Sequence, residues 1–159
     1  MEKKLQLLLD EREIIVQVNN IGVYADSCEW EKLKTCFTEK VIVDYTSMSG
    51  GEPETLSPNQ ICKNWSGFLP GFKMTQHMIT NHKVDINGDE AECNSYVQAT
   101  HYLPNEEGED TWLILGSYKH FLVRKDGEWK VKHMIFTLKL SDGNTNLPKL
   151  ALKALQEKK

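Results

Sequence analysis

The residues in this chain best suited to chemistry are five histidines, at positions 77, 82, 101, 120 and 133, together with the acidic and phenolic side chains that could partner them. Histidine titrates near neutrality. It can therefore take or give a proton at physiological pH, provided a second group fixes which ring nitrogen carries the hydrogen. His77 is distinguished by its setting, Met74-Thr-Gln-His-Met-Ile-Thr-Asn-His82 running on into Val84-Asp-Ile86, which reads as one strand. Alone in a strand, a histidine is usually a core or surface residue satisfied by a neighbour, so catalysis needs a carboxylate delivered from elsewhere. The spacing gives little support to a metal site. No two histidines stand at i, i+2 or i+4, and His77 and His82 differ in parity, so they face opposite sides of an unbulged strand. The sequence contains no nucleophile elbow, no cysteine at a signature spacing and no glycine-rich phosphate loop.

The elements that must position these groups fit a single domain of 159 residues, long enough to enclose one core. A composition of 40% hydrophobic and 26% charged residues is ordinary for a globular chain. The net charge of −4 argues against a nucleic-acid partner, and no apolar run approaches the roughly 18 residues that span a bilayer. Leu5 to Leu9 is too short for a signal-peptide core. Cys28, Cys36, Cys62 and Cys93 show no paired spacing, so a reduced, cytoplasmic protein is the expectation.

Apolar residues from Lys3 to about Ala25 recur at three and four, predicting a long amphipathic helix with a broad apolar face. Asp26-Ser27 then offers a cap for a second short helix, with Glu29 in the capping-box position and Trp30, Leu33 and Phe37 as its buried stripe. Val41–Tyr45 reads as a strand, Thr46–Pro53 as a loop over an opening, and Ser57-Pro58 as the start of a third helix carrying Ile61, Trp65 and Phe68. Phe72–Ile86, Glu90–Leu103, Trp112–Arg124 and Glu128–Leu140 are four long strands joined by short connections, two of them tight turns at Asn87-Gly88-Asp89 and Lys125-Asp-Gly127. Helices followed by a meander give an α+β fold, three N-terminal helices packed in a curved antiparallel sheet. The domain is expected to end near residue 140, and the tail, 141–159, to form a short docked helix from Pro148.

Strand alternation sorts the side chains. Ala91, Cys93, Ser95, Val97, Ala99 and His101 share one face; Gly116, Tyr118, His120, Leu122 and Arg124 share another; His77, Ile79 and Asn81 a third. That is more polarity than a plain core needs, so these faces meet in a wet pocket, unless a β-bulge has shifted the phase of one strand.

The order of elements resembles the SnoaL-like branch of the NTF2-like superfamily over roughly residues 8 to 140. The resemblance rests on Tyr24-Ala-Asp26-Ser-Cys-Glu-Trp30-Glu-Lys-Leu33 with Phe37, His77-x-x-x-Asn81, Asn87-Gly-Asp-Glu-Ala91, Gly116-x-Tyr118 and Arg124-Lys-Asp-Gly-x-Trp129-Lys. It implies an α+β cone, a curved sheet around the helices enclosing an apolar pocket. It also implies that Asp26 and His77 fall where similar dehydratases and dehydrohalogenases carry an aspartate and histidine that meet in that pocket. His101 falls near a second pocket position and Arg124 near a pocket arginine of some members. Ile21 and Thr75 depart from the pattern, which weakens a dehydrochlorinase assignment.

The resemblance thus supplies the missing carboxylate. Asp26 would accept a hydrogen bond from one His77 nitrogen, and His77 would abstract a proton from carbon, with Tyr118, His101 or His120 assisting an oxygen. The expected activity is that of a cofactor-independent dehydratase, isomerase or cyclase, with Tyr24, Trp65, Phe68, His101, Tyr118, His120 and Arg124 binding an apolar, ring-containing, oxygenated molecule such as a polyketide, steroid or terpenoid. Two alternatives stand beside it: a non-catalytic pocket for a small ligand, its cavity filled by Trp65, Phe68 and Met78, or a dimerising module. Trp112, Leu113, Leu115 and Phe121, expected on the outer sheet face, would suit a homodimer.

Overall fold

The three-and-four spacing of apolar residues at the N-terminus forms helix α1, Glu2–Asp26, in the computed structural model, which describes residues 1–157. The apolar face of α1 is narrower than its leucines suggest. Ile14, Val18, Ile21, Gly22 and Ala25 are buried, whereas Leu5, Leu7, Leu8 and Leu9 of the first turns are exposed. Helix α2, Trp30–Lys34, follows after a short turn. It has no side-chain cap, and Asp26 lies inside the last turn of α1 rather than capping α2. Phe37, expected on that helix, instead opens strand β1, Phe37–Asp44.

The segment expected as an open loop carries a one-turn helix, α3 (Thr46–Ser49), and then a short strand, β2 (Glu54–Leu56). Helix α4, Pro58–Ser66, begins with a capping box: the Ser57 hydroxyl accepts from Gln60 N at 3.3 Å, and Ser57 N donates to Gln60 Oε1 at 2.8 Å. Phe68 lies beyond this helix, ahead of a 3-10 turn at Leu69–Gly71. Four long strands follow, β3 (Met74–Asn87), β4 (Glu90–Tyr102), β5 (Thr111–Lys125) and β6 (Glu128–Gly143), then α5 (Leu147–Glu157). Gly88 (φ +62°) and Gly127 (φ +84°) supply the left-handed backbone of the two tight turns.

The curved, unclosed sheet has the order β2-β1-β6-β5-β4-β3. Its β6-β5-β4-β3 portion is the expected antiparallel meander, while β1 adds parallel to β6 and β2 antiparallel to β1. Helix α1 packs inside this sheet against β3, β6 and β4. None of the described helices is long and apolar enough to cross a membrane.

Two apolar clusters fill the interior. One joins α1 (Ile14, Val18, Ile21) to Leu33, Val41, Leu122, Trp129 and Met134; the other joins Phe72, Val97, Ala99, Trp112, Ile114 and Phe136 to Leu147 and Ala151 of α5. Trp112 and Ile114 thus face inward, in phase with Tyr118 and His120, and only Leu113, Leu115 and Phe121 of the expected outer set lie on the opposite face.

Helix α5 seats on the 3-10 turn through Gly71, where a Cβ would overlap the Ala151 carbonyl. Gly71→Ala is therefore expected to lower unfolding stability by about 1–3 kcal/mol, the usual range for an overpacked contact, measured as a reduced urea midpoint with an unchanged denaturant slope.

Candidate active site

Asp26 is the residue from which the site is built. Helix α1 delivers its carboxylate to β3, where it accepts three hydrogen bonds: from Thr75 Oγ1 to Oδ1 at 2.8 Å, from the His77 backbone N–H to Oδ2 at 2.7 Å, and from His77 Nδ1 to Oδ1 at 2.7 Å. Gly22, one turn earlier, makes the approach possible, since a Cβ there would sit 3.1 Å from His77 Cβ and 3.2 Å from Ile79 Cδ1. Burial alone would raise the Asp26 pKa. The hydrogen bond and charge of His77, its backbone N–H and the Thr75 hydroxyl together outweigh burial and hold the carboxyl below the usual range. An ionised carboxylate only accepts, so His77 Nδ1 carries the hydrogen, and the neutral form of the ring has its lone pair on Nε2.

His77 lines a cavity of about 260 Å³ between α1, α4 and the inner faces of β3 to β6. Its walls are mainly apolar and aromatic: Ile21, Gly22 and Ala25 from α1, Trp65, Phe68 and Leu69 from the α4 region, Ile79, Val97, Ala99, Trp112, Ile114 and Phe136 from the sheet. The polar lining is His77, His101, Tyr45, Tyr118 and His120. The His101 ring lies 5.9 Å from that of His77, centroid to centroid, and its Nδ1 donates to the Trp112 carbonyl at 3.3 Å. Burial, and secondarily the charge of His77, pushes the His101 pKa down to about 4; burial pushes that of His120 down to about 3. Both are neutral at physiological pH. The Tyr45 and Tyr118 hydroxyls are 3.0 Å apart, and burial drives both pKa values up, that of Tyr118 to about 12. When Tyr45 donates to Tyr118, the Tyr118 O–H is left for a ligand; in the reverse arrangement the Tyr45 O–H can turn to Met134 Sδ at 4.0 Å.

Of the sequence-predicted pocket residues, Trp65, Phe68, His77, His101, Tyr118 and His120 line this cavity, with Asp26 directly behind His77. Met78, weighed as a filler, is exposed on the other face of β3. Tyr24 and Arg124 are elsewhere. Tyr24 lies on another side of α1, with Lys32 Nζ 5.8 Å from its ring centroid. Arg124 pairs with Asp10 at 2.7 Å and Asp89 at 3.2 Å and lies 4.6 Å from the Trp129 ring centroid, far along β5 from the cavity. Several contributors were unforeseen, Met48 and the inward-facing Trp112 among them. Thr75 orients Asp26, and Tyr45 lines the cavity; the shared parity of Val41, Val43 and Tyr45 carried the signal for the latter.

The SnoaL-like domain family matches residues 6–135. The chain belongs to this SnoaL-like family, of the NTF2-like superfamily. Among solved structures, the SnoaL-like chain is similar to the Kfla4162 protein of Kribbella flavida, with 28% identity, a TM-score of 0.83 and coverage of 91% of this chain and 98% of that one. It shares its fold with a candidate scytalone dehydratase of Novosphingobium aromaticivorans (24% identity, TM-score 0.72, coverage 85% and 87%). The same holds for the hexachlorocyclohexane dehydrochlorinase LinA-type3 of Novosphingobium barchaimii (15%, 0.75, coverage 89% and 94%). No curated protein matches.

Neutral, buried His101 and His120 give this SnoaL-like domain a pH-dependent stability. Their folded pKa values lie below the unfolded value near 6.5, so between about pH 6.5 and 4 the unfolded chain binds more protons than the folded one, and stability falls as pH drops. The slope is roughly 1.4 kcal/mol per pH unit for each histidine within that window. The Asp26 contribution is lost only below the ordinary carboxylate range. Urea unfolding from pH 7 to 4.5 is expected to show this decline, and His120→Gln to flatten it by about one proton.

Proposed function

We propose that this protein is a cofactor-independent lyase or isomerase in which His77 is the general base and Asp26 holds it in the competent tautomer. The observation that carries this reading is the Asp26–His77 pair itself: Nδ1 is committed to the carboxylate at 2.7 Å, and Nε2 belongs to a ring lining the cavity. His77 Nε2 takes the proton from a carbon beside a carbonyl, and the bond pair delocalises onto that oxygen. The free phenol O–H of the Tyr45–Tyr118 pair hydrogen-bonds the developing oxyanion, while Asp26 stabilises the imidazolium. A β-hydroxyl then leaves as water with the proton His77 carries, or the proton returns to another carbon and isomerises the substrate. The apolar walls and the cavity volume, near the lower end of ligand sites, suit a small ring-containing molecule with a few oxygens.

The dehydratase and dehydrochlorinase named among the structural relatives support an eliminating chemistry on this fold. The same walls would also serve a non-catalytic ligand-binding pocket. Exposed Met78, Tyr96 and Leu140 and the half-exposed Leu113, Leu115 and Phe121 support a homodimer through the sheet, which sedimentation equilibrium would detect as twice the chain mass. Four unpaired cysteines are in keeping with a reducing, cytoplasmic setting.

Deuterium uptake from D₂O at the α-carbon of a panel of cyclic ketones and β-hydroxyketones, followed by NMR, tests the catalytic reading. His77→Gln is expected to slow exchange by about 10²–10⁴-fold, and Asp26→Asn by roughly 10²-fold through loss of the countercharge. Equal exchange in the wild type and His77→Gln would rule the mechanism out. Tight binding of a panel member with no exchange would assign the pocket to ligand binding alone.

A further inference from the structure

Four buried side-chain atoms make no hydrogen bond to any described residue: Asn19 Oδ1, His82 Nε2, Ser95 Oγ and His120 Nδ1. Buried polar groups almost always have partners, so four orphans call for a cause. The fold gathers them at one place. Thr80 pairs with Tyr96 and Lys83 with Asn94, so Asn81 and His82 both stand opposite Ser95 at a β-bulge. Ser95 pairs on its other side with Tyr118, which puts His82, Ser95 and Tyr118 in one row across the inner face of the sheet. His120 is the next inward residue on β5, its ring 5.0 Å from that of Tyr118, and His82 is near enough to act on it electrostatically.

Helix α1 covers this row. It runs antiparallel to β3, with Asp26 on Thr75 and His77 and Gly22 on His77 and Ile79. One further turn back along α1, the progression brings Asn19 over the bulge. Ser95 and His120 are 3% and 1% exposed.

None of the four residues carries a charge at neutral pH. The Asn19 oxygen accepts, the Ser95 hydroxyl gives and takes, and each imidazole nitrogen does one or the other according to its tautomer. A group that both donates and accepts, without net charge, answers that set. We propose that Asn19, His82, Ser95 and His120 form an internal binding site for a neutral hydroxyl group, opening onto the cavity through His120. The site stands whether or not His77 abstracts a proton. Its occupant is either an ordered water, which typically makes about three hydrogen bonds in such places, or the hydroxyl of a molecule lying in the cavity.

Crystals of the full chain, free and soaked with 2-naphthol or with hydroxyl-free naphthalene, separate the two sources. The free protein is expected to show one oxygen within about 2.7–3.2 Å of at least three of the four atoms. If the naphthol oxygen replaces it, the cavity ligand supplies the hydroxyl. Calorimetry should then give about tenfold tighter binding for naphthol than naphthalene, a preference that Ser95→Ala reduces severalfold. If that oxygen persists whether naphthol binds elsewhere or not at all, the site is upheld as a water site. A dry site, with Ser95→Ala raising Tm because it removes a hydroxyl that has no partner, overturns the proposal.

Discussion

The Asp26 carboxylate is the joint on which the interior depends. Its three hydrogen bonds cross from the last turn of α1 to two residues of β3, tying the helix to the strand that flanks the cavity. Two of those bonds would survive in any purely structural joint: the His77 backbone N–H and the Thr75 hydroxyl already satisfy the carboxylate. The third fixes the His77 ring. A carboxylate that is largely withdrawn from solvent and still ionised needs just such compensation, because desolvation acts against its charge. The same bonds that stabilise Asp26 therefore set the imidazole tautomer, and packing and chemistry share one constraint.

Around that single charged joint the cavity is built of neutral groups. His101 and His120 are kept uncharged by burial, and the two tyrosines stay protonated for the same reason. In a low-dielectric enclosure a second fixed charge would compete with Asp26 for any imidazolium formed at His77, whereas oriented neutral dipoles can meet an oxyanion without opposing it. Arg124, placed in the cavity, would have conflicted in the opposite sense, competing with His77 for the Asp26 carboxylate and repelling an imidazolium. Its position beside Asp10 and Asp89 at the far end of α1 removes that conflict and neutralises a carboxylate that is only 3% exposed.

The fold was legible because its signals are periodic: four alternating strands with turn residues between them, preceded by helical spacing and a Ser57-Pro58 start. The Asp26–His77 pair was legible only through family resemblance, since local rules read Asp26 as a helix cap. Long-range delivery of a side chain leaves no mark in neighbouring sequence. Arg124 shows the limit of parity. It shares the inward face with Tyr118 and His120, but six residues of strand carry it about 20 Å from Tyr118, so alternation gave its face and not its height. Tyr24 fails for the helical counterpart of that reason, being two residues, about 200° of rotation, from Gly22 on the helix face that meets β3. Tyr45 and Trp112 were within reach of the same alternation, and their parity was the decisive signal.

The bulge in β3 shows why strict alternation could not hold. Continued from His77 and Ile79, it would turn Asn81, Lys83 and Asp85 inward and leave Val84 and Ile86 in solvent. Burying a lysine and an aspartate without partners costs far more than one irregular residue. One extra residue solves the conflict: Asn81 adopts φ +56°, a left-handed conformation that asparagine tolerates better than most residues, and the phase changes there. Val84 and Ile86 return to the core, and Lys83 and Asp85 stay outside. The same shift carries His82 inward beside Ser95, so that His77 and His82, of opposite parity in sequence, share one face. The polarity at the inner end of the cavity is thus a consequence of keeping two charged residues out of the core.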